Sequence, residues 1–596
     1  MKIIFSAILL LCFNMLSNSQ SQYYVDQQNG SNTNNGTSTS TAFQSINSAK
    51  NLASPGDTIY IMGEYKNPSF NPNYSYTNEH DPHLWHAENS IRINNLHGSA
   101  SNYITIKAYN ENTILKGDGA NIFRISNSSY LRIEGFEIEG EVPNIPLSTA
   151  NALQFVYIRA NEVANILDPT AAEIQYRDKD CVSNCTPNAI VVGETYRNLN
   201  GIDIARPSYI DTRGLYLSNV NHIDIINNKI HDMPGGGLRV SDCEDINIIG
   251  NEIYACSRKS YSGTHALVVT RATSSRTTND YRIKILRNKI HHNYNEQYSW
   301  APTKNIITPH IDEGKGISLQ RNETTYNNDN AINVNWEHGR ILVANNICYY
   351  NGFSGVHSND GNRIDIIYNT CYFNSYTKSI TEGITANNGG NIGISAQGGS
   401  DVKIINNISV IDSGLSKSAI ASNISSADGL VVRNNIIYGT TRNGVTGTIN
   451  EDADIVAVQV DTQITDPLFT DPVNFDFSLQ QNSPAIGAAT VNAEVTNDYY
   501  NKDRGTDPDT GAIEYSSTLH IDDYNSNKVF LFPNPVDNIL TVKGVTFKLS
   551  DIKIFNFLGQ EFTNFRIINN GIDLSDLSKG SYIVKVKKHS EIIFKE

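Results

Sequence analysis

Apolar and polar residues alternate in short bursts along this chain, and between Asn228 and Asn435 the bursts repeat. Ile225-Ile226-Asn227-Asn228-Lys229-Ile230 returns as Ile248-Ile249-Gly250-Asn251-Glu252-Ile253 and as Ile285-Leu286-Arg287-Asn288-Lys289-Ile290, then again around Asn346, Asn369, Asn407 and Asn435. The shortest steps, Asn228 to Asn251 and Asn346 to Asn369, span 23 residues. Repetition at this length marks stacked units, each burying its core only against its neighbours. Alternation within a burst predicts strands. The repeated Asn is expected at a tight turn, tolerating the left-handed conformation and hydrogen-bonding the coils above and below.

A second strand in each coil opens with Gly or Ala: Gly214, Gly237, Ala266, Gly316, Gly355 and Gly393. The first and third positions after it are mostly aliphatic and are expected inside. The second and fourth then form two outer rows. These are Tyr216, Arg239, Val268, Ser318, His357, Ser395 and Ser218, Ser241, Thr270, Gln320, Asn359, Gln397. Asp242, Arg271, Arg321 and Asp360 follow these strands, and His265, Glu313 and Lys315 precede them. At about 4.8 Å per coil, Arg239 and His357 stand roughly 14 Å apart on one strip. Chemistry is expected there, because the outer residues differ from coil to coil as one asymmetric site requires.

The flanks complete the solenoid. Tyr23-Tyr24-Val25, a helical spacing over 42–49 and a strand at 58–61 predict an N-terminal cap over 23–63 that covers the open edge. The period is lost over 141–200, read as an inserted loop region, and the solenoid fades over 466–515. The whole body is set at 22–515. Cys348 and Cys371 hold one place in successive repeats, either bonded or stacked as thiols, and Cys181 and Cys185 are spaced to close a small loop. His231-Asp232 and His291-His292 fall at equivalent corners, where hydrogen bonding rather than zinc binding is expected. Tyr298, Trp300 and Trp336 lie near loops where they either stack on the rings of a ligand or pack the insertion.

Composition narrows the partners. A net charge of −15 over 596 residues speaks against a nucleic-acid or anionic-membrane surface; an acidic polymer can bind only through a local cluster of Lys, Arg and His. Met1-Lys2 followed by an apolar run to Phe13 reads as a signal peptide over 1–21. No other segment reaches the roughly 20 apolar residues of a membrane-spanning helix.

Beyond a linker at 516–528 the texture changes. Pro533-Asn534-Pro535 and the closing Gly580-Ser581-Tyr582-Ile583-Val584-Lys585-Val586 resemble the C-terminal sorting domain of the type IX secretion system of Bacteroidetes. That resemblance implies a small β-sandwich over 529–596, read by the secretion machinery, and a secreted or cell-surface protein. The coil phrase, the cap and the 466–515 ending resemble the right-handed parallel β-helix of polysaccharide lyases and glycoside hydrolases. The implied fold is all-β, and the implied partner is an acidic polysaccharide or oligosaccharide, with the chain acting as a monomer.

Two chemistries fit such a strip. In a lyase, Lys315 or His265 would take the proton beside a uronate carboxylate while Arg239 and Arg321 neutralise that carboxylate and Glu313 completes the machinery. Arg271, His357, Gln320, Asn359, Tyr216 and Trp336 would bind substrate. Ca²⁺ is open as a cofactor, with Asp242, Glu313 and Asp360 as its ligands, although no dense Asp cluster is evident. In a hydrolase, Glu313 would pair with Asp242 or Asp360 across the glycosidic bond. A non-catalytic adhesin is the third reading.

Overall fold

In the computed structural model of the chain the described residues are 20–71, 74, 88–152, 157–159, 174–175, 189–191, 208–260, 264–296, 314–324, 335–374, 392–411, 418–424, 427–439, 459–516 and most of 530–595. The leader through residue 19, Cys181, Cys185, Tyr298, Trp300, Glu313 and most of the linker lie outside them. Two compact units result, Met1–Tyr515 and Ser516–Glu596.

Aliphatic stacking drives the first unit. Ile223, Ile246, Ile283, Ile341 and Ile364 lie one above another in parallel register, as do Ile225, Ile248, Ile285, Val343, Ile366, Ile404 and Val432. All are buried. Each coil thus presents a flat apolar edge that only the next coil can cover. The result is a right-handed parallel β-helix with three faces. One face is an eleven-stranded sheet containing Lys229–His231, Glu252–Tyr254 and Lys289–His291. The other nineteen strands line two faces, and the long strands Val356–Ile367 and Ile392–Ile405 turn the corner between them. We call the face carrying Arg213–Ser218, Leu238–Ser241, Leu267–Thr270 and Ile317–Asn322 the site sheet.

The repeated asparagines form an unbroken ladder. The Asn228 N–H and side-chain amide both donate to Asn251 Oδ1, at 2.9 and 3.0 Å. The pattern passes through Asn288, Asn346, Asn369 and Asn407 to Asn435. The left-handed residue, however, is the one before each ladder Asn. It is Asn227, Gly250, Arg287, Asn345, Tyr368, Asn406 or Asn434, with φ between 52° and 68°. The ladder position itself must carry a carboxamide for its bonds, so the turn strain falls on its neighbour.

At the N-terminus, helix Ile46–Leu52 starts later than the apolar spacing suggested because the Ser45 hydroxyl caps it, accepting from the Asn47 N–H. Ile46 and Ala49 close the core. The 466–515 segment folds back: Phe469, Phe477, Leu479, Ala512 and Ile513 pack on Tyr349, Tyr372, Ile408 and Ile436. Arg504 pins this segment, donating to Asn345 Oδ1 at 2.7 Å and lying 3.9 Å from the Tyr368 ring centroid.

Cys348 and Cys371 pair across coils as free buried thiols, not a disulfide. His231, Tyr254, His291 and Tyr349 stack in one corner column. His231 reaches Asp232 and Glu137 at 2.8 and 3.0 Å, so hydrogen bonding accounts for these histidines.

The second unit is a pair of four-stranded antiparallel sheets around Leu540, Val542, Ile554, Ile572, Val584 and Ile593.

Candidate active site

The site sheet has the register its alternation demands. Tyr216, Arg239, Val268, Ser318, His357 and Ser395 are successive cross-coil partners, and Ser218, Ser241, Thr270, Gln320, Asn359 and Gln397 form the parallel row. The leading glycines have a steric origin. A Cβ on Gly214 would meet the Gly237 carbonyl oxygen at 2.6 Å, and one on Gly316 the Gly355 oxygen at 2.6 Å. Coils therefore approach too closely for a side chain where these Gly-led strands begin.

His265 and Lys315 start adjacent coils at that close approach. The Ala266 N–H donates to the Lys315 carbonyl, and the Lys315 N–H lies 3.4 Å from His265 Nδ1. Lys315 is 7% exposed, His265 2% and His357 3%. The centre of the strip is thus buried, although alternation alone places it on the outer face. Lys315 Nζ lies 4.1 Å from the centroid of the Phe353 ring, whose edge contacts His357. His357 Nδ1 is 2.6 Å from Ser395 Oγ.

The Gln320 amide nitrogen lies 2.9 Å from His265 Nε2 and 2.9 Å from Ser318 Oγ. A neutral imidazole has one lone pair, so it cannot accept from both Gln320 and the Lys315 N–H. Turning the Gln320 amide so that its oxygen faces the ring satisfies all three groups: Nε2–H donates to Gln320, Nδ1 accepts from Lys315, and Ser318 donates to the same oxygen.

Burial pushes the His265 pKa well below 6.5, with Lys315, His357 and Arg239 adding to the shift. Burial, then Lys315, does the same to His357. Both rings are neutral at pH 7. In the unfolded chain each would take up a proton near pH 6.5, whereas the folded site refuses it, so stability is full above pH 6.5 and falls below it. Denaturation midpoints measured against pH should show this slope, and His265→Gln with His357→Asn should make it shallower, leaving the part that His291 and His292 contribute through their own lowered pKa values; an unchanged slope would contradict the burial assigned to His265 and His357.

Arg239 is half-buried. Its Nε donates to Ser241 Oγ at 3.2 Å, and burial, followed by Arg213, lowers its pKa to about 10, so it stays a cation at neutral pH. Arg321 is opposite Asp360 in the register extended from Gln320 and Asn359. Burial raises the Asp360 pKa against the pull of Arg321, and burial followed by Asp360 raises that of Glu323.

Other expectations fare differently. Arg271 holds Asp242 in a two-pronged bond of 2.8 and 2.7 Å, so it neutralises a carboxylate of the protein and Asp242 is turned to a guanidinium instead of a metal. Asn359 donates to Asp360 at 3.2 Å. Trp336 is fully buried in the core, with its Nε1–H on the Asn362 carbonyl, and has no face to offer a sugar. Among the described residues no three His, Cys, Asp or Glu side chains converge as a metal cluster. Tyr216 lies beneath the Arg124 guanidinium, 5.3 Å from ring centroid to Cζ. Arg124 and Arg92 extend the same row towards the N-terminus. The alignment on leading glycines missed them, although Ile91-Arg92-Ile93 and Phe123-Arg124-Ile125 show the same in–out–in pattern.

Residues 530–596 match the family described as the secretion system C-terminal sorting domain. The C-terminal unit is a type IX sorting domain. A sorting domain directs its cargo out of the cell, and the protein is secreted or held at the cell surface. No curated protein matches the chain. Among solved structures, pectate lyase Pel9A is similar at 13% identity, over 83% of this chain and 97% of that one, with a TM-score of 0.41. The GH136 lacto-N-biosidase from Eubacterium ramulus is similar at 11% identity over 75% and 68%, TM-score 0.37. The A-module of mannuronan C-5 epimerase AlgE6 from Azotobacter vinelandii is similar at 14% identity over 69% and 85%, TM-score 0.34.

Proposed function

We propose that this secreted protein is a carbohydrate-active enzyme that cleaves a uronate-containing polysaccharide by β-elimination. The observation that carries this reading is the buried Lys315 beside two neutral histidines, His265 and His357, with Arg239 near enough to act on the His265 ring. Arg239 and Arg321 would neutralise the substrate carboxylate and so acidify the neighbouring C–H. Lys315 takes that proton. The C–H electrons become the new double bond as the C–O bond breaks, and the leaving oxygen is protonated by the ammonium just formed or by water. His265 is the weaker base, because a ring held so far below its usual pKa has little appetite for a proton. It suits a positioning role, fixing the Lys315 backbone and Gln320.

A second reading, glycoside hydrolysis, draws support from Asp360 and Glu323, two neighbouring carboxyls with raised pKa of the kind a general acid needs. Glu313 would then be sought as the partner. Incubation with alginate, pectate, ulvan and glycosaminoglycans separates the two. Elimination yields an unsaturated, ultraviolet-absorbing product; new reducing ends without that absorbance would replace the lyase reading with a hydrolase; binding with neither would leave an adhesin.

A further inference from the structure

On two faces of the solenoid, charges in adjacent coils are complementary. Lys107 meets Glu134 at 2.6 Å and Arg132 meets Asp224 at 3.1 Å. On the eleven-stranded sheet Lys229 meets Glu137 at 2.9 Å and Lys289 meets Glu252 at 3.1 Å. The coils neutralise one another there, as parallel in-register strands of an acidic protein should.

The outer row of the site sheet breaks that rule on its N-terminal side. Its register places Arg92 against Arg124, Arg124 against Tyr216, and Tyr216 against Arg239, while Arg213 opens the strand that carries Tyr216. Neighbouring coils are only about 4.8 Å apart. Among the described residues, none of Arg92, Arg124, Arg213 or Arg239 has a carboxylate partner, in a protein whose Arg132, Arg258, Arg271, Arg276, Arg282, Arg340 and Arg504 all have one. Among the described residues the buried Arg124 Nε has no hydrogen-bond acceptor. Beyond Arg124 the row reaches Arg92, which is exposed and lines a hollow of about 710 Å³ together with Lys66, Glu88 and Asn89. On the other side of Lys315 the same row continues through Ser395 and Ala421, which are small and uncharged.

Stacked cations without counter-charges repel, and the coils here supply no carboxylate to offset that repulsion. We propose that Arg92, Arg124, Arg213 and Arg239 form an anion-binding track for a polyanionic carbohydrate, lying on the N-terminal side of Lys315, so that charged sugars are gripped on one side of the reacting bond. The track takes from the reading above only that this sheet receives the carbohydrate. Its ligand is a chain bearing repeated carboxylates or sulfates, bound by forked guanidinium contacts.

The test uses the full chain carrying Lys315→Ala, so that polymers stay intact, with Arg92→Glu and Arg124→Gln added singly. Calorimetry measures binding of polygalacturonate, alginate, dextran sulfate and neutral dextran. Because Arg92 is exposed, its reversal leaves the core untouched, which circular dichroism verifies. Each change should weaken polyanion binding at least about tenfold, the worth of a charge-assisted hydrogen bond, while neutral dextran fails to bind. Equal losses for dextran sulfate and the uronates support recognition of charge of either kind; losses confined to the uronates support a carboxylate ligand. Binding within threefold of the parent, or neutral dextran held as tightly, overturns the track. If no polymer is turned over by the unsubstituted enzyme yet binding depends on Arg92, the track stands and the lyase reading falls. Elimination with Arg92-independent binding gives the reverse.

Discussion

Lys315→Ala is expected to lower kcat on a uronate polymer by roughly 10²–10⁴-fold, the usual contribution of a positioned general base, with a much smaller change in KM. The substitution removes the amine and its contact with the Phe353 ring at 4.1 Å, a contact worth about 0.5–2 kcal/mol. It leaves the inward Ile317 and Leu319 in place, so the coil should still fold. Lys315→Arg separates two roles that alanine cannot. Arginine keeps the charge and its place over the ring but does not give up its proton. It should therefore be as inactive as alanine if Lys315 is the base, and largely active if Lys315 only holds the substrate carboxylate. The initial rate of unsaturated product at saturating polymer is the measurement. A Lys315→Ala enzyme retaining a third of its turnover, or full rescue by arginine, would remove the base from this position.

Much of the scaffold was legible because a stacked fold turns local pattern into global geometry. The Gly- or Ala-led segments and their alternation were enough to place Arg239, Ser318 and His357 in one row, since a parallel sheet can only put like positions over like. Burial was not legible. Ser318 and His357 alternate outward, yet they are buried. Trp336 misled for the opposite reason. It falls outside the repeat, where sequence reads as loop, but it fills the core beside Arg363. Asp242 and Arg271 were visible as candidates but not as partners, because 29 residues separate them in sequence and one coil step in space. The Asn phrase pointed to the right residue for hydrogen bonding and the wrong one for the turn, since the two duties fall to adjacent positions.

Breaking that ladder at its middle should be the most damaging single change to the fold. Asn346 Oδ1 accepts from the N–H and the side-chain amide of Asn288, at 3.0 and 2.9 Å, while its own amide donates to the Ile285 carbonyl and to Asn369 Oδ1, both at 2.9 Å. All three asparagines are fully buried. Asn346→Leu preserves volume but strands two Asn288 donors where water cannot reach them, at about 1–3 kcal/mol each, roughly 3–5 kcal/mol together. Asn435→Leu, on the last rung, strands the same two groups of Asn407, bonded at 2.9 and 3.1 Å. Its consequence differs because coils depend on nearest neighbours. A gap at Asn346 separates two halves of the stack and should lower the main denaturant transition by the full amount. A gap at Asn435 lets the terminal coils fray first, giving an early, shallow loss of far-ultraviolet dichroism and a main transition shifted by less than half as much. Equal shifts for the two variants would mean that the solenoid melts as one block, and that the ladder does not transmit stability from coil to coil.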